Sequence, residues 1–129
     1  MAPEILLTKP YNSLVDVWSL GIILLELAEG INPYRGMTLS RIMHAMKNEK
    51  APHIKNKDKK WSEEFVHFVN ERCLIKDPVK RADTYELLLH PFMKDADDEE
   101  HQDQFLIFMT DYFNNPKLRL NPTKIDLAF

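Results

Sequence analysis

Leu14-Val15-Asp16-Val17-Trp18-Ser19-Leu20-Gly21-Ile22-Ile23-Leu24-Leu25-Glu26-Leu27-Ala28-Glu29-Gly30 is the stretch on which the fold turns. Its apolar residues surround most of the circumference of a helix over 14–29. A helix apolar nearly all round belongs inside a larger protein. Gly30 stands where a left-handed terminator belongs, and Ile31-Asn32-Pro33-Tyr34 cannot continue the helix. Ser13 is placed to cap its start. The stretch is shorter than a bilayer span and carries Asp16 and Glu26, so it reads as a core helix and not a membrane segment. Asp16 has two readings. It is a buried carboxylate that needs donors, or the acidic partner of a capping-box-like Ser13-x-x-Asp16, which the local spacing favours.

Outward from this helix the chain is a series of further helices with no convincing strand. A short one is expected over Glu4–Thr8, with Pro3 suited to the first turn and Lys9-Pro10 breaking it. Another is expected over Leu39–Lys47, capped by Thr38 or Ser40. Residues 47–60 hold six lysines and read as a surface loop with a solvated charged face. A helix starting near Ser62, favoured by Glu63 and Glu64 in its first turn, puts Phe65, Phe68, Val69, Arg72 and Cys73 on one face. It ends at Asp77-Pro78. Asp83 and Glu86 have capping-box spacing at the head of a short helix to Leu89, which His90-Pro91 stops. Beyond Phe92 an acidic run leads into Phe105, Phe108, Met109, Tyr112 and Phe113, spaced for one face of a sixth helix. Residues 114–129 read as an irregular tail. Two regions follow, 1–93 and a C-terminal extension over 94–129.

Composition excludes several functions. Over 129 residues the net charge is −3, which gives no support for nucleic-acid binding. Cys73 is the single cysteine, so neither an intrachain disulfide nor a paired-cysteine metal site exists. Set among apolar helical neighbours, it reads as a buried, inert thiol. The five histidines show no metal-ligand spacing. There is no GxSxG, and Gly21, Gly30 and Gly36 are too few and too scattered for a phosphate-binding loop. No signal peptide is visible at Met1. The expectation is a cytoplasmic protein without membrane or nucleic-acid partners.

Four segments in order resemble one family. Ala2-Pro3-Glu4 resembles the motif that closes a protein kinase activation segment. Asp16-Val17-Trp18-Ser19-Leu20-Gly21 is similar to the start of the central helix of the kinase large lobe, and Asn32-Pro33-Tyr34 to the turn after it. Cys73 to Arg81, followed by Leu87-Leu88-Leu89-His90-Pro91-Phe92, resembles the last two helices of that lobe. Trp18-Ser19-Leu20-Gly21-Ile22, Glu26 to Gly30 and Lys60-Trp61-Ser62 look most like the sterile-20-like serine/threonine kinases, of the Hippo or germinal-centre type.

The resemblance implies a mainly α fold, the helical C-terminal subdomain of a kinase, truncated before the end of the activation segment. It implies that Glu4 pairs with Arg81, and that Asp16 accepts hydrogen bonds from a catalytic loop. It places Ile23 and Leu27 as a floor beneath the adenine-side stack and Glu26 at a substrate groove. Trp18 and Gly21 belong to the same scaffold. It implies no catalytic, cofactor or metal residue in this chain. The phosphate-covering loop, Lys–Glu pair, catalytic aspartate and magnesium ligands of the family precede the Ala-Pro-Glu motif, and no His-Arg-Asp or Asp-Phe-Gly occurs here. ATP and Mg2+ would belong to a full-length parent, whose partners would be protein substrates or regulators. The chain is thus expected to be an inactive kinase fragment. The alternative is a stand-alone, non-catalytic helical module that docks a partner. A fragment would leave an apolar patch bare along Leu14–Leu27; a self-sufficient protein would cover it.

Overall fold

The computed structural model describes residues 1–57, 60–94, 96, 107 and 110. The chain divides into two compact units, residues 1–92 and 93–129. The first unit holds α1 (Pro3–Leu6), α2 (Leu14–Glu29), α3 (Leu39–Asn48), α4 (Glu63–His67), a π-helical segment (Phe68–Cys73) and α5 (Thr84–Leu88). A 3₁₀ turn, Pro91–Met93, follows α5; its last residue, Met93, is the first of the second unit. No strand occurs among the described residues. In the second unit the amide of Ala96 donates to the carbonyl of Met93 at 3.1 Å, and Ile107 and Thr110 are helical. The rest of the helix expected over Phe105–Phe113, most of the acidic run before it and the tail over 114–129 lie outside the described residues.

The central helix has the bounds its sequence predicts, but its start is built differently. Ser13 has helical backbone angles and its hydroxyl caps nothing. The Asn12 side-chain oxygen instead accepts from the Leu14 amide at 3.1 Å, and the Asp16 amide donates to the Ser13 carbonyl at 3.0 Å. The expected Ser13–Asp16 capping box is therefore replaced by an asparagine one residue earlier. At the other end Gly30 takes φ 74° and its amide closes on the Glu26 carbonyl at 2.8 Å.

Only one face of α2 is buried, through Val17, Trp18, Gly21 and Leu25. This face packs on the π-helical segment, and α1 packs on α3. The core is completed by Ala45, Met46, Ile54, Phe65, Phe68, Val69, Cys73, Leu74 and Leu87. Gly21 permits the closest approach: a Cβ there would stand 2.8 Å from the Cys73 Cβ and from a Leu74 methyl.

The expected single helix from Ser62 onward is the main correction. Ser62 does cap it, accepting from the Phe65 amide at 3.2 Å, but α-helical pitch lasts only to His67. The wider π turn then holds Phe68, Val69 and Cys73 in the core, and its last bond joins the Leu74 amide to the Val69 carbonyl at 2.9 Å. Arg72, which α pitch would keep on the apolar face, reaches Glu86 at 3.2 Å instead. Asn70 reaches the loop and clamps Ile54 twice, accepting from its amide at 2.8 Å and donating to its carbonyl at 3.0 Å. The capping box of Asp83 and Glu86 is present in both directions at the head of α5.

Candidate functional site

Glu4 and Arg81 meet across 77 positions of sequence in the interior of the first unit. Pro3 starts α1 at a position where its missing amide proton costs nothing, and this sets Glu4 in the first turn. The Arg81 fork engages both carboxylate oxygens, Nη1 to Oε1 at 2.7 Å and Nη2 to Oε2 at 3.0 Å. Nη1 also donates to the Leu14 carbonyl at 2.8 Å, and Nε to the Ile75 carbonyl at 2.8 Å. One guanidinium thus joins α1, the first residue of α2 and the loop after the π segment. Its carbon lies 5.3 Å from the centre of the Trp18 ring, a cation–π distance.

Neither side chain of the pair is more than 2% exposed. Burial alone would push the Glu4 carboxyl upward. The Arg81 hydrogen bond, the carboxyl's bond to its own backbone amide and the positive charges of Arg81 and Lys9 outweigh that and hold it below the usual carboxylate value. A buried ion pair adds little over an apolar packing, but removing one partner strands a buried charge.

The opposite side of α2 is bare. Asp16, Leu20, Ile23 and Leu27 follow one another at helical spacing, about half a turn round from Trp18. Leu20 is 39%, Ile23 56% and Leu27 64% exposed. Asp16 is exposed as well, and its carboxylate makes no hydrogen bond among the described residues. The buried-carboxylate and capping readings of Asp16 both fail here: on this face it needs no donor, and Asn12 caps the helix. Glu26 accepts from the Asn32 side-chain amide at 2.9 Å, while the Asn32 oxygen accepts from the Tyr34 amide at 3.0 Å. It therefore bolts down the Asn32-Pro33-Tyr34 turn. The structure brings Glu4, Arg81 and Trp18 together and leaves Asp16, Ile23 and Leu27 on the outer face, with Gly21 at the inner contact with Cys73.

Two further groups carry no sequence signal of their own. Lys76 donates to the last carbonyls of α3, at 2.7 Å to Ala45 and also to Glu49. His67 and His90, 23 positions apart, touch at 2.8 Å. Cys73 is buried, and burial pushes its thiol up to about 12. Among the described residues no group of three or more His, Cys, Asp or Glu could hold a metal ion. Among the same residues no helix is long and apolar enough to cross a membrane.

Residues 1–93 match the protein kinase domain family. The serine/threonine-protein kinase pakE of Dictyostelium discoideum is 47% identical over 96 residues, covering 74% of this chain and 10% of pakE. The serine/threonine-protein kinase max-2 of Caenorhabditis elegans is also 47% identical over 96 residues, with 74% of this chain and 15% of max-2 covered. For the serine/threonine-protein kinase pakH of Dictyostelium discoideum the identity is again 47% over 96 residues, 74% of this chain and 18% of pakH. The matched part of the chain thus spans less than a fifth of each of these sterile-20-like, pak-type relatives. With a helical scaffold closed by Glu4 and Arg81 and a family match over 1–93, the chain belongs to the protein kinase domain family.

Proposed function

We propose that this chain is the substrate-side part of the large lobe of a serine/threonine kinase, a scaffold on which segments outside the chain carry out phosphoryl transfer from ATP to protein hydroxyls. The outer face of α2 supports this reading best. A row of Leu20, Ile23 and Leu27 ending on the exposed Asp16 is the kind of surface that receives another part of a folded domain: apolar area to bury and one acceptor to fix register. In this reading Asp16 takes backbone amides of a catalytic loop, and Ile23 and Leu27 support the layers beneath the adenine. Glu26 edges a groove for protein substrates. ATP and magnesium belong to the complete domain, and this chain alone transfers no phosphate.

Calorimetric titration of the 129-residue chain with ATP and magnesium tests this directly. No saturable heat is expected, and no phosphate incorporation into a generic protein substrate. Saturable binding would overturn the assignment of a scaffold without a nucleotide site. Sequencing the transcript upstream of Met1 separates the two origins. In-frame Asp-Phe-Gly and His-Arg-Asp codons indicate a kinase part; an upstream stop codon favours a free-standing module that offers the same face to another protein.

A further inference from the structure

His67 ends α4, and His90 lies just before the 3₁₀ turn. Their rings stack at 5.1 Å between centres and 17° between planes, with His67 Nδ1 and His90 Nε2 2.8 Å apart. His90 is only 8% exposed. The Phe92 amide donates to His90 Nδ1 at 3.1 Å. That bond fixes the tautomers, because a nitrogen that accepts carries no proton. Neutral His90 holds its proton on Nε2 and donates it to His67 Nδ1, and neutral His67 therefore holds its own on Nε2. Each ring nitrogen in the chain of bonds has one role and no spare capacity.

A proton added to this chain has nowhere neutral to go. At His90 Nδ1 it displaces the Phe92 amide. At His67 Nδ1 it sets two N–H groups against each other across 2.8 Å. The bond at risk matters for packing. The Phe92 ring lies 5.1 Å from that of Phe65 and 5.2 Å from that of Phe68, and the His90 ring meets Phe68 edge-on at 5.2 Å. We propose that the His67–His90 pair is a proton-operated latch, closed when both rings are neutral and opened by one proton, that fastens the Phe92 turn to the aromatic face of α4 and the π segment.

The surroundings agree in sign. Burial, the facing His67 and the Arg72 guanidinium all disfavour a charged His90, and Glu64 alone works the other way, so His90 lies below its ordinary value. Glu63 and Glu86 line the same cleft, and Glu86 is already engaged by Arg72. Because the folded form binds its proton less readily than the ordinary 6.5, the latch contributes fully above pH 6.5 and is lost as pH falls from there through the folded value. This inference stands apart from the kinase reading and does not depend on it.

Nitrogen-15 NMR of the full chain from pH 8 to pH 5 tests it. The Nδ1 atoms of both rings are expected to give the signal of an unprotonated nitrogen at neutral pH. The His90 ring is expected to titrate with a midpoint below 6.5, and the Phe92 amide proton to move upfield with the same midpoint. A His90 midpoint at or above 6.5, a Phe92 amide that ignores it, or titration coincident with loss of far-ultraviolet circular dichroism overturns the latch. His67→Asp supplies a second readout. A carboxylate facing Nε2–H favours the imidazolium, so the His90 midpoint is expected to rise above 6.5; an unmoved midpoint counts against the pairing.

Discussion

Arg81 holds more of this unit together than any other single side chain described. It makes a bidentate bond to Glu4, two short bonds to main-chain carbonyls and a face contact with Trp18. Arg81→Ala removes all of these and leaves Glu4 buried without a counter-charge, so urea unfolding is expected to show a loss of about 3–5 kcal/mol. Arg81→Lys is expected to recover little of it, since a point charge cannot make the forked contact. The pair also sets an acid limit. The folded Glu4 carboxyl lies below its ordinary 4.5, so its contribution is present above pH 4.5 and drains away as pH falls through the folded value. Glu4→Gln should flatten stability against pH in that window while lowering it at pH 7; an unchanged acid slope would show that Glu4 does not set it. The sequence pointed to this pair only through family resemblance, because no local pattern links positions 77 apart. The histidine contact had not even that, since stacking and tautomer choice emerge only when α4 and the end of α5 are packed together.

At the scale of elements, what could be read from the sequence was whatever local chemistry decides. The bounds of α2 followed from its apolar run and Gly30, and the head of α5 from the Asp83–Glu86 spacing, because capping and left-handed termination act within four residues. The π segment was not legible. Phe65, Phe68, Val69, Arg72 and Cys73 fit α periodicity, and the widening that sends Arg72 to Glu86 answers to tertiary contacts. The choice of Asn12 over Ser13 as cap was also out of reach, since two adjacent good cappers compete and the approach of the chain decides. Asn70 is the test of what the π turn is for. Its side chain satisfies both polar backbone groups of the buried Ile54. Asn70→Ala is expected to cost about 1–3 kcal/mol for each group left unpaired, and hydrogen exchange at the Ile54 amide should accelerate while that at the α2 amides does not. Equal acceleration at both sites would mean the loop is not held by Asn70 in particular.

For the whole molecule the question is what the outer face of α2 is for. The sequence has this helix apolar on most of its circumference, with a bare patch along Leu14–Leu27 expected of a kinase part, and in the described structure it is buried on one side only. The difference between apolar circumference and buried face has a physical origin: hydrophobicity round most of the helix records the environment it was selected for, while burial records what is present to cover it. Ile23→Lys and Leu27→Lys should change the stability of this chain by no more than about 0.5 kcal/mol, as surface substitutions do. They should lower its tendency to self-associate, read by light scattering. The same substitutions in a complete pak-type kinase domain, where the proposal has this face covered, are expected to destabilise the fold by burying an unpaired charge. A large loss of stability in the isolated chain would mean that the face is already covered by residues of the chain itself.

The clasp between Glu4 and Arg81 also has a consequence in time. A ribosome adds about 5–20 residues per second, so the 77 positions between the partners take roughly 4–15 s to make. For that interval the carboxylate of α1 is made but its guanidinium does not yet exist, and α2 has been synthesised without the residue that anchors its first carbonyl. The long-range bond can therefore form only late, once the chain that separates its ends has been released. Until then the amino-terminal helices are clients for whatever binds nascent apolar surface, and a pause placed anywhere between the two residues lengthens that exposure without altering the finished structure.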